Sequence, residues 1–519
     1  MCDAFTLIGC KESCNRKTLM KNNNSFFSNK LYILIVLFIF ALGLGIRLVN
    51  LTNLPLDFHP TRQLFSALKA RGMYYQLSPE INNWQREMAI SQWKTLATIE
   101  PPIVEKLTVL GYRVAGRADL VIPRVYSILF WMFGGIFVFL AVRRLISPDG
   151  ALLSLAFYLF LPYGVFASRS FQPDPLMIAL IAGFIWAVSA WDEEQTWGWA
   201  ILAGLFGGLA ILVKTVAVFF VAGGALGIVF GGMGLRKAWK NIQIWSIALL
   251  SIMPTAIYFF YGVVMSGDLA QQFSGRFFPE MLLSPFFYLR WELKLNEVIG
   301  HLSIVLSFLG LLLFRQKKQS LIIGLWLGYI VYGMVFAYHF STHDYYQLPF
   351  ILVAAISLAS LGDIFSKIFV ERWGNSLSRQ LVVGGLLLFA VVATSWSVRA
   401  ELRAVDFRPQ ADTYAEIGNL LRPEGGVISL SDDYGYRLAY WGWLRTMHWP
   451  SLGDLGYQQK RGKSQTFAQV FESNTNGRSF FLVTDMAEWE LQTELQAHLV
   501  ERYPLFAEGD GYLVFDLRQ

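Results

Sequence analysis

The amino-acid sequence predicts a polytopic α-helical membrane protein with a small C-terminal α/β domain. Of its 519 residues, 55% are hydrophobic and only 15% are charged, whereas soluble domains carry about 25% charged residues. A helix needs roughly 20 residues to span a bilayer, and apolar segments of about that length recur along most of the chain. After residue 398 the composition changes to that of a soluble domain. The net charge of +6 is not a nucleic-acid signal, because most of the excess lies in short loops between apolar segments.

Hydropathy predicts about eleven spans within residues 31–398, after an N-terminal tail of residues 1–30. The predicted spans are Leu31–Val49, Val121–Ala141, Ala151–Ala167, Leu176–Trp191, Trp199–Val213, Val216–Gly231, Ile244–Met265, Val298–Phe314, Leu321–Tyr338, Leu348–Phe365 and Leu381–Val398. The small residues Gly204 and Gly208 predict that their helix packs closely against a neighbour.

Basic residues in alternate short loops predict the orientation, because such loops are cytoplasmic. This places residues 1–30 in the cytoplasm of a multi-pass plasma (inner) membrane protein, and residues 50–120 and 399–519 on the extracytoplasmic side. The acidic loop Asp192–Glu194 is an exception on the cytoplasmic side, although acidic residues weigh little in this rule. The basic residues are Arg143, Arg144, Arg236, Lys237, Lys240, Arg315, Lys317, Lys318, Lys367, Arg372 and Arg379.

The three cysteines, Cys2, Cys10 and Cys14, all precede the first span. This excludes disulfides within the remainder of the chain and gives no common zinc-binding pattern.

Two extracytoplasmic segments show patterns of regular structure. In the loop of residues 50–120, helical spacing relates Ala89 to Trp93 and Leu96, and it recurs after Pro101-Pro102 in Ile103, Leu107, Leu110 and Val114. Such amphipathic helices can lie in the membrane interface. In residues 399–519, buried strands are predicted at Val427–Leu430, Phe480–Val483 and Tyr512–Phe515, between helices marked by Tyr414, Ile417, Leu420 and Leu421 and by Leu491, Leu495 and Leu499.

Asp57 is the leading candidate for chemistry, because it is a carboxylate placed just beyond the first span. A sugar donor used outside the cytoplasm arrives on a lipid phosphate. Its transfer requires a base for the acceptor proton and cations for the leaving phosphate. Asp57 can supply the base, with His59 and Arg62 beside it. The alternative is a helix cap or a loop salt bridge.

Further charged residues stand at the predicted outer ends of other spans. Arg169 and Asp174 flank a turn with two prolines, and they either serve a substrate or pair to fix that turn. Lys214 lies among apolar residues, so it requires a partner, contact with a lipid phosphate, or a path to the headgroups.

A third group of polar residues precedes the tenth predicted span. His343, Asp344, Tyr345 and Tyr346 predict a sugar or phosphate site, with an interfacial aromatic belt as the alternative. No cofactor is established by the sequence. A divalent metal is a further hypothesis, with His59, His343 and Asp344 as candidate ligands.

Several short motifs occur in an order that resembles one known family. Asp57 follows the first span, and later come Glu100-Pro101-Pro102-Ile103, Pro123-Arg124-Val125-Tyr126-Ser127, Ser168-Arg169 through Asp174, Gly208 through Lys214, and Tyr345-Tyr346-Gln347-Leu348-Pro349. Together, over about residues 31–365, they resemble the GT-C-fold glycosyltransferases that include protein O-mannosyltransferases and lipid A aminoarabinose transferases.

The resemblance implies a polyprenyl-phosphate-sugar donor, inversion at the anomeric carbon, and Asp57 as the base. It also implies a role in cell envelope glycosylation, with a hydroxyl or amine of a glycan, lipid or protein as acceptor. In two places the chain differs from the family pattern. Phe58 stands where the family often has an acidic residue, and Glu100 stands where Lys or His often precedes the prolines. Arg169, Lys214 or Lys94 would then supply the positive charge for the phosphate.

Two other function classes remain as alternatives. A transporter or lipid flippase would also have many spans, but it would favour charges near the bilayer midplane and an internal repeat. A non-catalytic assembly or binding protein could retain the fold without activity.

Overall fold

The computed structural model describes residues 25–78, 81–98, 100–267, 269, 277–313, 318–422, 424–462 and 465–518. The three cysteines, most of the predicted N-terminal tail, and the predicted cytoplasmic residues Arg315 and Lys317 lie outside the described residues. Two compact units are present. The helical unit comprises the chain up to Val49 with Ile128–Ser168 and Pro173–Glu401. The mixed unit comprises Asn50–Ser127, Arg169–Gln172 and the chain from Leu402.

The α-helices up to residue 404 alternate long apolar segments with shorter pieces. They are α1 Asn29–Leu48, α2 Pro60–Gln76, α3 Asn83–Thr95, α4 Ile103–Ala115, α5 Val121–Leu145, α6 Pro148–Phe160, α7 Pro162–Ala167, α8 Asp174–Glu194, α9 Trp197–Val213, α10 Ala217–Ile228, α11 Leu235–Lys240, α12 Ile242–Phe259, α13 Pro285–Ile299, α14 His301–Leu313, α15 Gln319–Val335, α16 Ala337–Thr342, α17 Phe350–Trp373 and α18 Leu377–Ala404. Short π or 3-10 turns occupy Val229–Met233, Phe260–Met265, Pro279–Leu283 and Asp344–Gln347.

Six helical segments of the described chain are long and apolar enough to cross a membrane, or seven if one bent pair counts as a single span. Four shorter apolar helices accompany them: Pro148–Phe160, Trp197–Val213, Ala217–Met233 and Gln319–Val335. The multi-pass character predicted from the sequence is therefore present. The count of about eleven spans stays a prediction, although every predicted segment coincides with helix within the described residues.

Two of the predicted spans contain a break that the local sequence explains. The segment predicted at Ala151–Ala167 is interrupted at Leu161, because Pro162 has no backbone N–H to continue the hydrogen-bond ladder. The segment predicted at Val298–Phe314 begins inside α13, which meets α14 at an angle of 95°. Gly300 forms this corner with φ of 78°, a conformation that favours glycine.

Close packing of α9 on α12 depends on the glycines noted in the sequence. A Cβ atom on Gly208 would lie 2.3 Å from the carbonyl oxygen of Leu250, and one on Gly204 would lie 2.7 Å from the Leu250 side chain. Both distances are shorter than carbon atoms tolerate. The predicted close packing is confirmed, because the absence of side chains at these glycines lets α9 approach α12 closely.

A charged cluster joins three helix ends of the helical unit. Arg144 pairs with both Glu193 and Glu194, and Lys318 pairs with Glu193. Lys318 also donates a hydrogen bond of 2.8 Å to the carbonyl of Arg144. The acidic loop is therefore neutralised by the basic ends of its neighbours, so these alternate loops share one side of the unit.

The mixed unit contains a five-stranded sheet formed entirely by the C-terminal segment. Its strands are β1 Val427–Leu430, β2 Thr446–His448, β3 Phe480–Val483, β4 Leu505–Gly509 and β5 Tyr512–Asp516, in the order β2-β1-β3-β5-β4. β1 pairs in parallel with β2 and β3, whereas β5 is antiparallel to β3 and β4. The helices of this segment are α19 Arg408–Leu421, α20 Tyr436–Tyr440, α21 Leu452–Lys460, α22 Phe467–Thr475, α23 Met486–Leu491 and α24 Thr493–Arg502, with a 3-10 turn at Asp432–Gly435.

The three predicted strands are present, and helices cover both faces of the sheet. Alternate residues of each strand point to opposite faces. One face therefore packs Phe481 against Leu495 and Leu499, and the other packs Phe480 against Ile417. Leu491 was predicted to belong to the same helix as Leu495, but it ends α23 and is 65% exposed.

The loop of residues 50–120 forms three helices, of which the sequence patterns indicated two. In α4 the apolar stripe found in the sequence is the exposed face, with Leu110 57% and Val114 91% exposed. Such a face suits a membrane interface. The missed helix, α2, is mostly buried in the mixed unit. Burial on nearly all sides removes the amphipathic periodicity by which helices are recognised.

Arg71 of α2 ties the loop to the C-terminal segment within the mixed unit. Its guanidinium donates hydrogen bonds to the carbonyls of Tyr440 and Ala439, the latter at 2.9 Å. It also lies 3.9 Å from the ring centre of Trp443. Burial lowers the pKa of Arg71, so the hydrogen bonds and ring contact must offset the cost of a buried charge.

We expect Arg71→Met to destabilise the mixed unit by about 3 kcal/mol, because the buried carbonyls lose a charged donor and the rings lose their cation. The measurement is the thermal unfolding midpoint of the purified protein in detergent. Arg113→Met is the matched control, since Arg113 is exposed on α4. Equal midpoints for the two variants would contradict the role given to Arg71.

Candidate functional site

Asp57 is held by two buried arginines of the mixed unit. Its carboxylate oxygen Oδ2 forms an ion pair with Nη2 of Arg124 and lies 3.9 Å from Nη2 of Arg169. The side chains of both arginines are 1% exposed, and that of Asp57 is 13% exposed. The second oxygen, Oδ1, accepts no hydrogen bond from the described residues. One carboxylate edge is therefore anchored while the other is available.

Backbone carbonyls from the end of the first span fix the two guanidinium groups. Arg124 donates through Nη1 to the carbonyl of Asn53 at 2.7 Å, and Arg169 donates through Nη2 to the carbonyl of Asn50 at 3.0 Å. The Asn53 side chain is itself bonded to the backbone of Val405 and Phe407. The segment before Asp57 is thus held by the two arginines through its carbonyls and by the backbone of Val405 and Phe407 through the Asn53 side chain.

This cluster has more positive than negative charge. Burial, together with repulsion from Arg124, lowers the pKa of Arg169 to about 10, although Asp57 opposes the shift. Arg169 still remains protonated at neutral pH. Its Nε and Nη1 atoms, and Nε of Arg124, find no hydrogen-bond partner among the described residues. Buried, unpartnered guanidinium donors favour an anionic ligand.

Gln63 joins the Asp57 segment to the Arg169 turn. Its amide Nε2 donates to the carbonyl of Phe58 at 2.6 Å, while Oε1 accepts the backbone N–H of Phe171 at 2.9 Å. Gln63 is fully buried. One buried amide therefore links the segment that carries Asp57 to the turn that carries Arg169.

His59 begins the helix that carries Gln63. It has φ of 43° at the N-cap of α2, a left-handed conformation that is uncommon for residues other than glycine. Its ring contacts Phe58 edge-on, with centres 4.5 Å apart. His59 therefore forms the sharp bend between Asp57 and the helix that starts at Pro60.

Arg62 and Glu100 pair with each other, with Nη2 of Arg62 3.2 Å from both carboxylate oxygens. Two buried charges lie nearby on α2 and α4: burial lowers the pKa of Lys69 and raises that of Glu105, and the charge of each residue opposes the shift of the other. Lys94 is exposed in the last turn of α3. The structure thus gives Arg62 and Glu100 a mutual partner, whereas Lys94 faces solvent.

In the helical unit Lys214 pairs with Asp174. Its Nζ lies 2.8 and 2.9 Å from the two carboxylate oxygens, and both side chains are buried. Lys214 also lies 5.4 Å from the ring centre of Tyr345. The partner that an apolar environment demands for Lys214 is therefore Asp174, at the first turn of α8.

The remaining candidates form an aromatic and polar cluster in the helical unit. The rings of Tyr345 and Tyr346 are 4.9 Å apart, and that of His343 lies 5.6 Å from Tyr345. Asp344 accepts the backbone N–H of Tyr345 at 2.7 Å. Within the part of the chain that the structure describes, no group of three or more His, Cys, Asp or Glu side chains is placed to hold a metal ion. The metal hypothesis therefore gains no support.

A cavity of about 350 Å3 opens within the mixed unit. Asn53, whose carbonyl anchors Arg124, belongs to its wall. Aromatic and charged side chains complete the wall: Arg117, Asp119, Tyr440 and Trp441. Such a lining suits a polar ligand with apolar faces.

Four residues of this cluster were not predicted from the sequence as site residues: Arg124, Asn50, Asn53 and Gln63. Arg124 was within reach, because it belongs to the Pro123–Ser127 motif that carried part of the family resemblance. Asn50 and Asn53 hold the arginines through their own backbone carbonyls, and the Gln63 side chain bonds main-chain groups. Short-range sequence patterns give no signal for such contacts.

Comparison with known proteins supports the resemblance. Residues 99–259 match the family model described as dolichyl-phosphate-mannose-protein mannosyltransferase. A comparison with curated proteins finds no match.

Similar solved structures cover nearly the whole chain. ArnT from Cupriavidus metallidurans in the apo state matches with a TM-score of 0.58 and 14% identity, over 93% of this chain and 97% of that one. The same protein bound to undecaprenyl phosphate matches with a TM-score of 0.54, 14% identity and the same coverage. The Archaeoglobus fulgidus oligosaccharyltransferase in complex with Zn and sulfate matches with a TM-score of 0.54 and 11% identity, over 93% of this chain and 72% of that one. At these identities the likeness concerns the fold. The chain is thus a multi-pass membrane protein that shares the GT-C fold of these transferases, and its residues 99–259 are similar to the mannosyltransferase family model.

Proposed function

We propose that this protein is an inverting glycosyltransferase. It moves a sugar from a polyprenyl-phosphate donor to an acceptor hydroxyl or amine at the extracytoplasmic membrane face. The observation that carries the proposal is the Asp57 carboxylate held between two buried guanidinium groups. Such a cluster brings a proton acceptor and an anion site together, and transfer from a lipid phosphate requires both.

In the proposed reaction Asp57 takes the proton of the acceptor through its available oxygen, Oδ1. The acceptor oxygen or nitrogen forms a bond to the anomeric carbon, and the bond from that carbon to the phosphate oxygen breaks. Polyprenyl phosphate leaves with the bonding electron pair. A single displacement from the face opposite the leaving group inverts the anomeric configuration.

We assign the leaving phosphate to Arg169, with Arg124 beside it. Arg169 is protonated, buried and has unpartnered N–H groups. Arg62 and Lys214 are weaker candidates, because each already has a carboxylate partner at 3.2 Å or less. In the helical unit we propose that Lys214, His343 and Tyr345 contact the lipid-linked sugar. The acceptor would approach through the cavity lined by Trp441.

We expect Asp57→Glu to lose at least about 100-fold in sugar transfer, because a positioned base contributes about that much or more and its oxygen has moved. Thermal stability should change little, since the negative charge between the arginines is retained. The assay follows radiolabelled hexoses and pentoses on undecaprenyl phosphate, incubated with the protein in membrane vesicles from the producing cells.

Asp57→Asn tests the same role with a different structural cost. It leaves two buried guanidinium groups without their counter-charge, so we expect destabilisation by about 3–5 kcal/mol as well as lost transfer. Asp510→Asn is the matched control, because Asp510 is exposed in the β4–β5 turn and Asn-Gly suits such turns. Wild-type transfer by Asp57→Glu and Asp57→Asn would remove Asp57 from the base role.

Arg169→Gln should weaken binding of undecaprenyl phosphate by about 10- to 100-fold, since a hydrogen bond to a charged group contributes about 1.5–3 kcal/mol. Arg169→Lys should recover part of the loss, because it keeps the charge but not the guanidinium geometry. Titration of purified protein with undecaprenyl phosphate measures this. Arg113→Gln serves as the exposed control, and unchanged affinity in Arg169→Gln would exclude the assignment.

The orientation is tested by single cysteines in a chain whose three natural cysteines are replaced by serine. A cysteine at Asp510 should react with a membrane-impermeant maleimide in intact cells, whereas one at Glu193 should react only after permeabilisation. This follows from the basic loops on the Glu193 side. The reverse pattern would contradict a reaction at the extracytoplasmic face.

A further inference from the structure

The turn after β1 has an unusual backbone conformation. Asp433 has φ of 54° and ψ of 36°, and the next residue, Tyr434, has φ of 56° and ψ of 28°. Two consecutive residues with side chains are thus left-handed, followed by Gly435 with φ of 76°. Such conformations persist only where surrounding contacts impose them, and they cluster at functional sites.

The Asp433 carboxylate makes the contacts that impose this turn. Its Oδ2 accepts a hydrogen bond of 2.5 Å from Nε of Arg437, and its Oδ1 accepts one of 2.7 Å from the hydroxyl of Thr61. The Asp433 side chain is only 9% exposed. Arg437 is in turn bonded to Gln410 at 3.1 Å. One oxygen therefore serves the C-terminal segment, while the other reaches the first turn of α2.

Thr61 lies in the first turn of α2, the helix that follows the Asp57 segment. It is the second residue of α2, four residues after Asp57 and two residues after the left-handed His59. Two residues further on, Gln63 bonds the carbonyl of Phe58. The first turn of α2 is thus held by Gln63 toward the Asp57 segment and by Asp433 toward the sheet.

We propose that Asp433 is a positioning residue for the Asp57 segment, acting through the hydroxyl of Thr61. The sheet of the C-terminal segment thereby contributes to sugar transfer without contacting the donor. This inference rests on the proposed function, because it takes Asp57 as the base. A displacement of the reacting groups by about 1 Å can lower turnover about 100-fold, so the Thr61–Asp433 contact is expected to act on kcat.

The test compares Thr61→Val, which has the same shape without the hydroxyl, with Thr61→Ser, which keeps it. Full-length protein in membrane vesicles is assayed with radiolabelled hexoses or pentoses on undecaprenyl phosphate. We expect kcat of Thr61→Val to fall about 10- to 100-fold, with KM for the donor changed less than about twofold, and Thr61→Ser to restore most of kcat. Undecaprenyl phosphate binding should equal that of the wild type, since Arg169 is untouched.

Asp433 is tested by a second pair of variants, both of which can adopt its positive φ. Asp433→Gly accepts the positive φ and removes the carboxylate, whereas Asp433→Asn tolerates the same φ and keeps an oxygen for Thr61. We expect kcat of Asp433→Gly to fall at least as far as that of Thr61→Val, because it also removes the carboxylate partner of Arg437, and Asp433→Asn to stay closer to the wild type. The double variant Thr61→Val/Asp433→Gly should be no slower than Asp433→Gly alone, because the Thr61–Asp433 contact is already absent there.

The outcomes separate this inference from a purely structural contact and from the proposed function. Lower melting temperatures with unchanged kcat in folded Thr61→Val and Asp433→Gly would overturn it, as would losses that multiply in the double variant. Should Thr61→Val melt below the assay temperature, the comparison of Asp433→Gly with Asp433→Asn decides the question. If the wild-type protein consumes no donor, the proposed function itself fails.

Discussion

The ion pair between Asp57 and Arg124 is the interaction on which the candidate site depends. Two buried guanidinium groups within reach of one carboxylate would repel each other if that carboxylate were absent. With Asp57 in place, the cluster keeps one excess positive charge and several unpartnered N–H groups. A single geometric arrangement thus provides a held carboxylate and a place for an anion. The neighbouring asparagines and Gln63 maintain this arrangement through the backbone.

The fold class was predictable because hydropathy has a clear signature in long apolar helices. Within the described residues each of the eleven predicted segments is mostly helical, although some are interrupted, and the three predicted strands are present. The breaks at Leu161 and Gly300 could have been anticipated from Pro162 and from the glycine. Helix α2 could not, because a helix buried on nearly all sides has no polar face to create a period. β2 has only three residues and β4 is largely exposed, so neither shows the buried apolar run that marked the other three strands.

The site was predictable only in part, and the reason is physical. Asp57 and Arg169 were predicted as site residues because a charge at the edge of an apolar span is unusual. Their relative positions depend on the backbone carbonyls of Asn50 and Asn53 and on main-chain hydrogen bonds of Gln63. Every residue has main-chain groups, so the residue types do not reveal such contacts. Lys214 was correctly seen to need a partner. That the partner is Asp174 is a consequence of tertiary packing, which spacing in the sequence does not encode.

The mixed unit draws on three parts of the chain that are far apart in sequence: Asn50–Ser127, Arg169–Gln172 and the residues from Leu402 onward. During translation Asp57 is therefore synthesised several hundred residues before Asp433. During that interval Thr61 and Arg71 have no sheet or aromatic partners to engage, while the helices between them are being inserted. The mixed unit can therefore fold only late in biosynthesis. A chain that stopped after its last hydrophobic helix would be inserted in the membrane, but the region of the proposed catalytic site would lack its C-terminal partners.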